Sequence, residues 1–157
     1  MFKPAWLRWL ALLLPLAAVG AALVSQHVFD MQPCPWCVLQ RVVFVALALA
    51  ALPALLTRHR SVNRIAAGLS VVLAACGAAA ALWQHFVATS TTSCNLSLAD
   101  RIVSGLGLDS LWPQVFAAYA TCADATVKLV GLPYEAYSLL LFVALGCLAV
   151  AAARQPA

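Results

Sequence analysis

The sequence predicts an all-α integral membrane protein, a bundle of four transmembrane helices with a long extracytoplasmic loop between the third and fourth helices. Two observations support this prediction. Of the 157 residues, 65% are hydrophobic and only 9% are charged, against about 25% charged residues in an average soluble domain. The few charges also divide the chain into long uncharged runs. A soluble chain of this length has too little interior to bury so much apolar surface, so the composition indicates a lipid bilayer as solvent.

The uncharged runs place the four spans, because about 20 apolar residues in a helix cross a hydrocarbon core of about 30 Å. We predict spans near residues 9–28, 37–57, 65–86 and 136–153. The second run is short, so its helix begins near Cys37 and includes Arg41 in an early turn. The whole chain then forms a single membrane domain with outer loops over residues 29–36 and 87–135.

The basic residues are distributed unevenly between the two sides of this topology. Six of the nine flank the chain ends or lie between the second and third spans: Lys3, Arg8, Arg58, Arg60, Arg64 and Arg154. All five acidic residues lie on the other side. Because short cytoplasmic segments are enriched in lysine and arginine, we predict that both termini are cytoplasmic. The basic residues form no stripe interleaved with aromatic side chains, so no nucleic-acid partner is expected.

The first span raises one alternative. Residues 1–22 have the basic start, leucine-rich stretch and small-residue end of a secretory signal peptide. Their apolar run is longer than the usual 7–15 residues, so we expect this segment to remain as a span.

The topology sorts the six cysteines. Four lie on the extracytoplasmic side, where disulfides persist: Cys34, Cys37, Cys94 and Cys122. The other two, Cys76 and Cys147, lie in the middle of the third and fourth spans and are expected to be packing residues. The outer four form a close pair and a distant pair along the chain, but four cysteines allow three pairings. The residues alone leave the connectivity open.

The close pair stands at the start of the second span. Pro35 suits the first turn of a helix, where its missing N–H is not needed. Cys37 then lies at a helix N-terminus, where free amides and the helix dipole stabilise a thiolate. Arg41 lies one turn deeper on the same face, and a cation near hydrocarbon is costly enough to indicate a function. This pattern predicts a redox site, with a structural disulfide or half of a zinc site as alternatives.

The distant pair lies within the long outer loop. Cys94 follows the polar segment Thr-Ser-Thr-Thr-Ser and is expected to be exposed. Loops of this length are often functional. Residues 96–108 carry apolar positions around Asp100 and Arg101, which predicts either a short helix on the membrane surface or a partly ordered surface loop.

Several short motifs follow one another along nearly the whole chain. They are Gln26-His27-Val28, Pro33-Cys34-Pro35-Trp36-Cys37, Arg41, Trp112-Pro113-Gln114-Val115-Phe116 ahead of Cys122, and Gly131-Leu132. In this order and topology they resemble the DsbB family, the disulfide bond formation proteins B of the bacterial inner membrane.

The resemblance implies a protein-dithiol:quinone oxidoreductase whose redox loops face the periplasm. Cys94 and Cys122 would accept electrons from the reduced dithiol of a periplasmic DsbA-like partner, which would attack Cys94 to form a mixed disulfide. Exchange would pass the electrons to Cys34 and Cys37, and the Cys37 thiolate would reduce a bound quinone. Ubiquinone is the expected cofactor, with menaquinone as the alternative, and no metal is expected.

The resemblance also implies a quinone site formed by Arg41, His85, Cys37 and Trp36. His85 matches a histidine that the family places near the quinone; a histidine that only meets solvent or headgroups is the alternative. Trp36 would line the quinone ring or anchor the chain at the interface. Two features depart from the family pattern. Gln40 stands where many members have a glutamate, and Pro-Trp separates the two cysteines of the close pair.

Other functions compete with this interpretation. A thiol-based metal carrier would need soft ligands along its path, including the cytoplasmic side, yet residues 58–64 contain no cysteine. An enzyme similar to vitamin K epoxide reductase would place its core cysteines differently. A purely structural bundle would use its outer disulfides only to stabilise loops.

Overall fold

A computed structural model describes residues 5–57, 59–90, 97–125, 128–129 and 131–154. Its long helices are α1 (Ala5–Val28), α2 (Pro35–Leu56), α3 (Arg60–Phe86) and α7 (Tyr134–Arg154). Between α3 and α7 lie a 3₁₀ turn (Ala88–Ser90), helices α4 (Leu98–Gly105), α5 (Leu108–Leu111) and α6 (Pro113–Phe116), and the two-residue antiparallel strands β1 (Lys128–Leu129) and β2 (Leu132–Pro133). The predicted four-helix architecture is confirmed. The predictions for Lys3, Arg58 and Cys94 lie outside the described residues.

Each of the four long helices is long and apolar enough to cross a membrane. Each also begins earlier than the sequence predicted: α3 starts at Arg60 rather than near residue 65, and α2 at Pro35 rather than Cys37. The predicted spans followed the uncharged runs, whereas the helices continue for a few residues beyond them. A long arginine side chain can keep its charge at the headgroups while its backbone is already helical, and proline at the first helical position is preorganised for the helix.

The bundle is held together by close packing of α3 against α7 and α2, and of α1 against α2. Phe44 of α2 and Phe142 of α7 stack with ring centroids 4.1 Å apart and an interplanar angle of 5°. Gly77 of α3 lies against the Phe142 ring, where a Cβ atom would overlap the ring atoms. Small residues let membrane helices approach closely, so the contact between α3 and α7 depends on this glycine.

The outer loop packs on the outer end of α2. Helix α4 begins with a capping box in which the Ser97 hydroxyl accepts from the Asp100 amide (3.2 Å) and the Asp100 carboxylate accepts from the Ser97 amide (2.9 Å). Its buried residues Ala99 and Val103 pack in one cluster with Val38 of α2. A short helix therefore forms in this part of the loop, and it covers the end of α2 that carries the close cysteine pair.

Candidate active site

The close cysteine pair forms the start of α2. Cys34 is the N-cap residue with an extended backbone, and its sulfur accepts a hydrogen bond from the Cys37 amide (3.3 Å). Pro35 occupies the first turn, as predicted. The two sulfur atoms lie 2.7 Å apart. The helix geometry therefore places both thiols of the close pair in direct contact at the N-terminal end of α2.

Cys122 reaches the same position from the outer loop. The amides of Tyr119 and Ala120 both donate to the Pro33 carbonyl, at 3.0 and 3.3 Å, which holds the segment before Cys122 over the start of α2. Cys34 and Cys122 are buried in one cluster, and their thiols are hydrogen-bonded. The structure thus brings together three of the four outer cysteines, whereas Cys94 lies outside the described residues.

Cys34 and Cys122 have different proton affinities because of this contact. The Cys34 thiol donates to Cys122 and to Cys37, and these bonds, together with burial, raise the pKa of Cys34. The bond from Cys34 lowers the pKa of Cys122, and a backbone hydrogen bond from Trp36 acts in the same direction against the opposing effect of burial. Cys122 is therefore favoured as the thiolate, which is the nucleophile in thiol–disulfide exchange.

Arg41 is only 6% exposed and connects three parts of the chain. Its guanidinium donates to Gln26 Oε1 of α1 (2.6 Å), to the Ala22 carbonyl of α1 (3.4 Å) and to the Val115 carbonyl of α6 (2.9 Å). Hydrogen bonds to a charged group are about twice as strong as neutral ones. Arg41 therefore fixes α1 and the outer loop against α2 while its charge stays beside the cysteine pair.

A pair of buried amide side chains faces Cys37. Gln40 Nε2 donates to Gln84 Oε1 (2.7 Å), and Gln84 Nε2 donates to the Cys37 sulfur (3.3 Å). Sequence reasoning noted Gln40 only as a departure from the family pattern and did not single out Gln84. The available signal was a polar residue inside an otherwise apolar span, since buried polar groups in membranes usually have a partner and a function. Gln40 orients the Gln84 amide so that its N–H points at the thiol.

A cavity of about 270 Å³ opens between α1, α2, α3 and α7. Alanines of α1, Phe44 of α2 and Leu141 of α7 form its apolar lining. Its polar lining includes Cys37, Gln40, Arg41, Gln84, Tyr134 and Glu135. A small, mostly apolar site with a few convergent polar groups is typical of cofactor binding. The Cys37 thiol thus forms part of the wall of a pocket inside the bundle.

His85 and Trp36 are not among the residues that line this cavity. His85 contacts a residue that lines the cavity, since its Nδ1 lies 2.9 Å from Oε1 of Glu135. Trp36 packs against Trp83 of α3, with ring centroids 6.2 Å apart, and against the cluster of Cys34 and Cys122. Sequence reasoning missed Glu135, which it counted only as one of the outer acids.

The other two histidines and the two cysteines predicted within the spans lie away from the site. His27 is exposed at the outer end of α1, and His59 is the N-cap of α3 on the opposite side. Cys76 and Cys147 are exposed on the outside of α3 and α7. These two cysteines therefore face the surroundings of the bundle. The expectation that they pack inside it was wrong.

Comparison with known proteins identifies the family. The family model of disulfide bond formation protein DsbB matches residues 4–152. The chain belongs to the DsbB family. It is 36% identical over 141 residues to disulfide bond formation protein B 1 of Pseudomonas syringae pv. syringae (87% of this chain and 82% of the relative). It is 33% identical over 135 residues to disulfide bond formation protein B of Nitrosospira multiformis (84% and 80%). No solved structure gives a significant match.

Membership of the DsbB family fixes the general role. This DsbB-family chain is a multi-pass membrane protein and a disulfide-forming oxidoreductase. The resemblance drawn from its cysteine motifs is thereby confirmed.

Proposed function

We propose that this DsbB-family protein reoxidises a periplasmic DsbA-like dithiol protein and passes the electrons to a membrane quinone. The observation that supports this proposal best is the position of Cys34. Its sulfur contacts Cys122 of the outer loop on one side and Cys37, which lines the cavity, on the other. Electrons that arrive in the outer loop therefore have a continuous path of sulfur atoms to the cavity.

The proposed relay consists of four thiol–disulfide exchanges. The partner dithiol attacks Cys94 of a Cys94–Cys122 disulfide, and resolution of the mixed disulfide oxidises the partner and reduces the pair. The Cys122 thiolate then attacks the Cys34 sulfur of a Cys34–Cys37 disulfide, and Cys37 leaves as a thiolate. Cys94 finally attacks Cys122 of the resulting Cys34–Cys122 disulfide, which restores the Cys94–Cys122 disulfide and releases Cys34. The lowered pKa of Cys122 favours it as the attacking group. Each exchange breaks one S–S bond and forms another, so two electrons move inward in each cycle.

The cavity fits the headgroup of a quinone. Its volume lies just below the range of about 300–1,000 Å³ for sites that hold a whole drug-sized ligand, which suits one ring better than a complete quinone with its tail. When bound, the quinone accepts two electrons and two protons. Cys37 supplies the electron pair from the wall of the cavity, while Arg41 and Gln84 stabilise the Cys37 thiolate through charge and a hydrogen bond. Ubiquinone is the proposed acceptor, with menaquinone as the alternative.

The distribution of basic residues supports the orientation that this relay needs. Arg8, Arg60, Arg64 and Arg154 lie at the ends of the long helices opposite the cysteine cluster. Because lysine and arginine are enriched in short cytoplasmic segments, we place these ends and both termini in the cytoplasm. The two redox loops then face the periplasm from the inner membrane.

The direct test is quinone reduction by the purified protein in detergent, supplied with a reduced DsbA-type protein. We expect activity to be lost in Cys37→Ser and in Cys94→Ser and to be retained in Cys147→Ser, which changes a cysteine on the outside of α7. Undiminished turnover in Cys37→Ser would contradict the relay. If the wild-type protein reduced neither ubiquinone nor menaquinone but bound zinc stoichiometrically, the metal-carrier function would replace it.

A further inference from the structure

Two side chains at the outer end of the bundle connect the cavity with the protein surface. Glu135 belongs to the first turn of α7, is 5% exposed and lines the cavity. Its Oε1 lies 2.9 Å from Nδ1 of His85, which is in the last turn of α3. The His85 side chain is 47% exposed. One member of this pair therefore faces the interior of the bundle, while the other faces outward.

The outward member lies near the end of the third candidate membrane span, which runs from Arg60 to Ser90. The α3 helix ends one residue after His85, and the exposed hydroxyl of Thr89 donates to the His85 carbonyl (2.9 Å). Polar hydroxyls at this position meet headgroups and water rather than hydrocarbon. The imidazole therefore has access to protons from the outer aqueous phase.

A carboxyl group in this position is costly if its only role is to join two helices. Burial of a carboxylate at a membrane boundary is unfavourable unless it is paired, and an apolar contact would join α3 and α7 with no such cost. Other ionisable groups also line the cavity, namely Cys37 and Arg41 of α2 and Tyr134 and Tyr137 of α7. Among the α1 residues that line it, Ser25 has the polar side chain. Of these groups, Glu135 contacts the exposed His85.

We infer that Glu135 and His85 carry protons between the outer aqueous phase and the quinone cavity. Oxidation of the Cys34–Cys37 dithiol yields a disulfide, two electrons and two protons, and formation of quinol consumes two electrons and two protons. The relay releases its thiol protons at the outer surface, and the quinone takes up protons inside the bundle. For each of the two protons, His85 accepts a proton from water and passes it to Glu135, and Glu135 delivers it within the cavity. The two protons taken up by the quinone then balance the two released by the thiols, and the overall reaction neither gains nor loses protons.

This inference rests on the proposed function, and the test separates the two. Quinol formation and oxidation of the partner dithiol are measured independently in wild-type protein and in Glu135→Gln, His85→Gln and His85→Ala. A positioned proton carrier contributes about 100-fold or more to rate. We expect quinol formation to slow by about this factor in all three variants, while disulfide exchange between the partner and Cys94 stays within about twofold of wild type. His85→Gln can still donate a hydrogen bond to Glu135, so it separates proton transfer from helix positioning.

Chemical rescue distinguishes a proton carrier from a structural residue. Added imidazole should restore quinol formation in His85→Ala, and substituted imidazoles should do so in the order of their basicity. His27→Ala, which removes an exposed histidine at the outer end of α1, is the matched control and should behave as wild type. Normal quinol formation in Glu135→Gln, or a slow His85→Ala that no imidazole restores, would overturn the inference. Absence of quinone reduction in wild type would instead refute the proposed function itself.

Discussion

Replacement of Gln84 by leucine tests how the protein activates Cys37. Gln84 is 3% exposed, and its Nε2 donates to the Cys37 sulfur at 3.3 Å while its Oε1 accepts from Gln40. Leucine has a similar size, so the packing of α3 is preserved and only the polar contacts are lost. The Cys37 thiolate then loses a hydrogen bond that stabilises its charge.

The expected effect follows from the strength of that bond. A hydrogen bond to a charged group contributes about 1.5–3 kcal/mol. Sulfur is a weak acceptor, so the lower figure applies, and about 1.4 kcal/mol corresponds to a factor of ten in an equilibrium. Reactions that require the Cys37 thiolate should therefore slow about tenfold in Gln84→Leu. The variant also leaves the Gln40 amide without its partner, which lowers the stability of the bundle by about 1–3 kcal/mol.

The assay is the rate of iodoacetamide alkylation at Cys37 in fully reduced protein at fixed pH, read from the mass of the peptide that contains it. Gln32→Leu is the control, because Gln32 is exposed and its side-chain amide donates a hydrogen bond to Asp30 in the outer loop, away from Cys37. Gln84→Glu should be slower still, since a carboxylate beside the sulfur repels the thiolate. An unchanged rate in folded Gln84→Leu, or a faster one in Gln84→Glu, would refute the reasoning.

Three further predictions follow from the packing and the cysteine cluster. Gly77→Ala should lower the stability of the bundle by about 1–3 kcal/mol, because its Cβ overlaps the phenylalanine ring of α7. Gly68→Ala is the control and should leave the stability unchanged, because the space around its Cβ is open. Equal thermal unfolding temperatures of the two variants in detergent would contradict this prediction. In reduced protein, Cys122 should be alkylated faster than Cys34 and should keep its reactivity to lower pH, because the pKa of Cys122 is lowered and that of Cys34 is raised. Mass mapping of the alkylated peptides across a pH series checks this. The same dependence of the two alkylation rates on pH would contradict it. Arg41→Met should raise the KM for quinone about tenfold, which corresponds to a loss of about 1.4 kcal/mol of binding free energy. An unchanged KM would show that Arg41 does not contribute to quinone binding.

Proximity of Cys34 and Cys37 was predictable from the sequence because it is local. The two cysteines are three residues apart at the start of a helix, and Pro35 indicates where that helix begins. Helix geometry then determines which groups share a face, so Arg41 could be placed one turn below Cys37. The boundaries of the helices were less predictable, because the backbone remains helical through Arg60 and Tyr134, beyond the apolar core that marks a span.

The composition by itself determined that this protein is a four-helix membrane bundle. In hydrocarbon every backbone amide and carbonyl needs an internal partner, so a run of about 20 apolar residues has almost no alternative to a helix. The tertiary structure alone decided which distant side chains meet. The contacts from Gln84 to Cys37 and from His85 to Glu135 join residues 47 and 50 positions apart. Such contacts depend on how the helices rotate and cross. Side-chain packing at positions such as Gly77 sets this geometry, and hydropathy does not encode it.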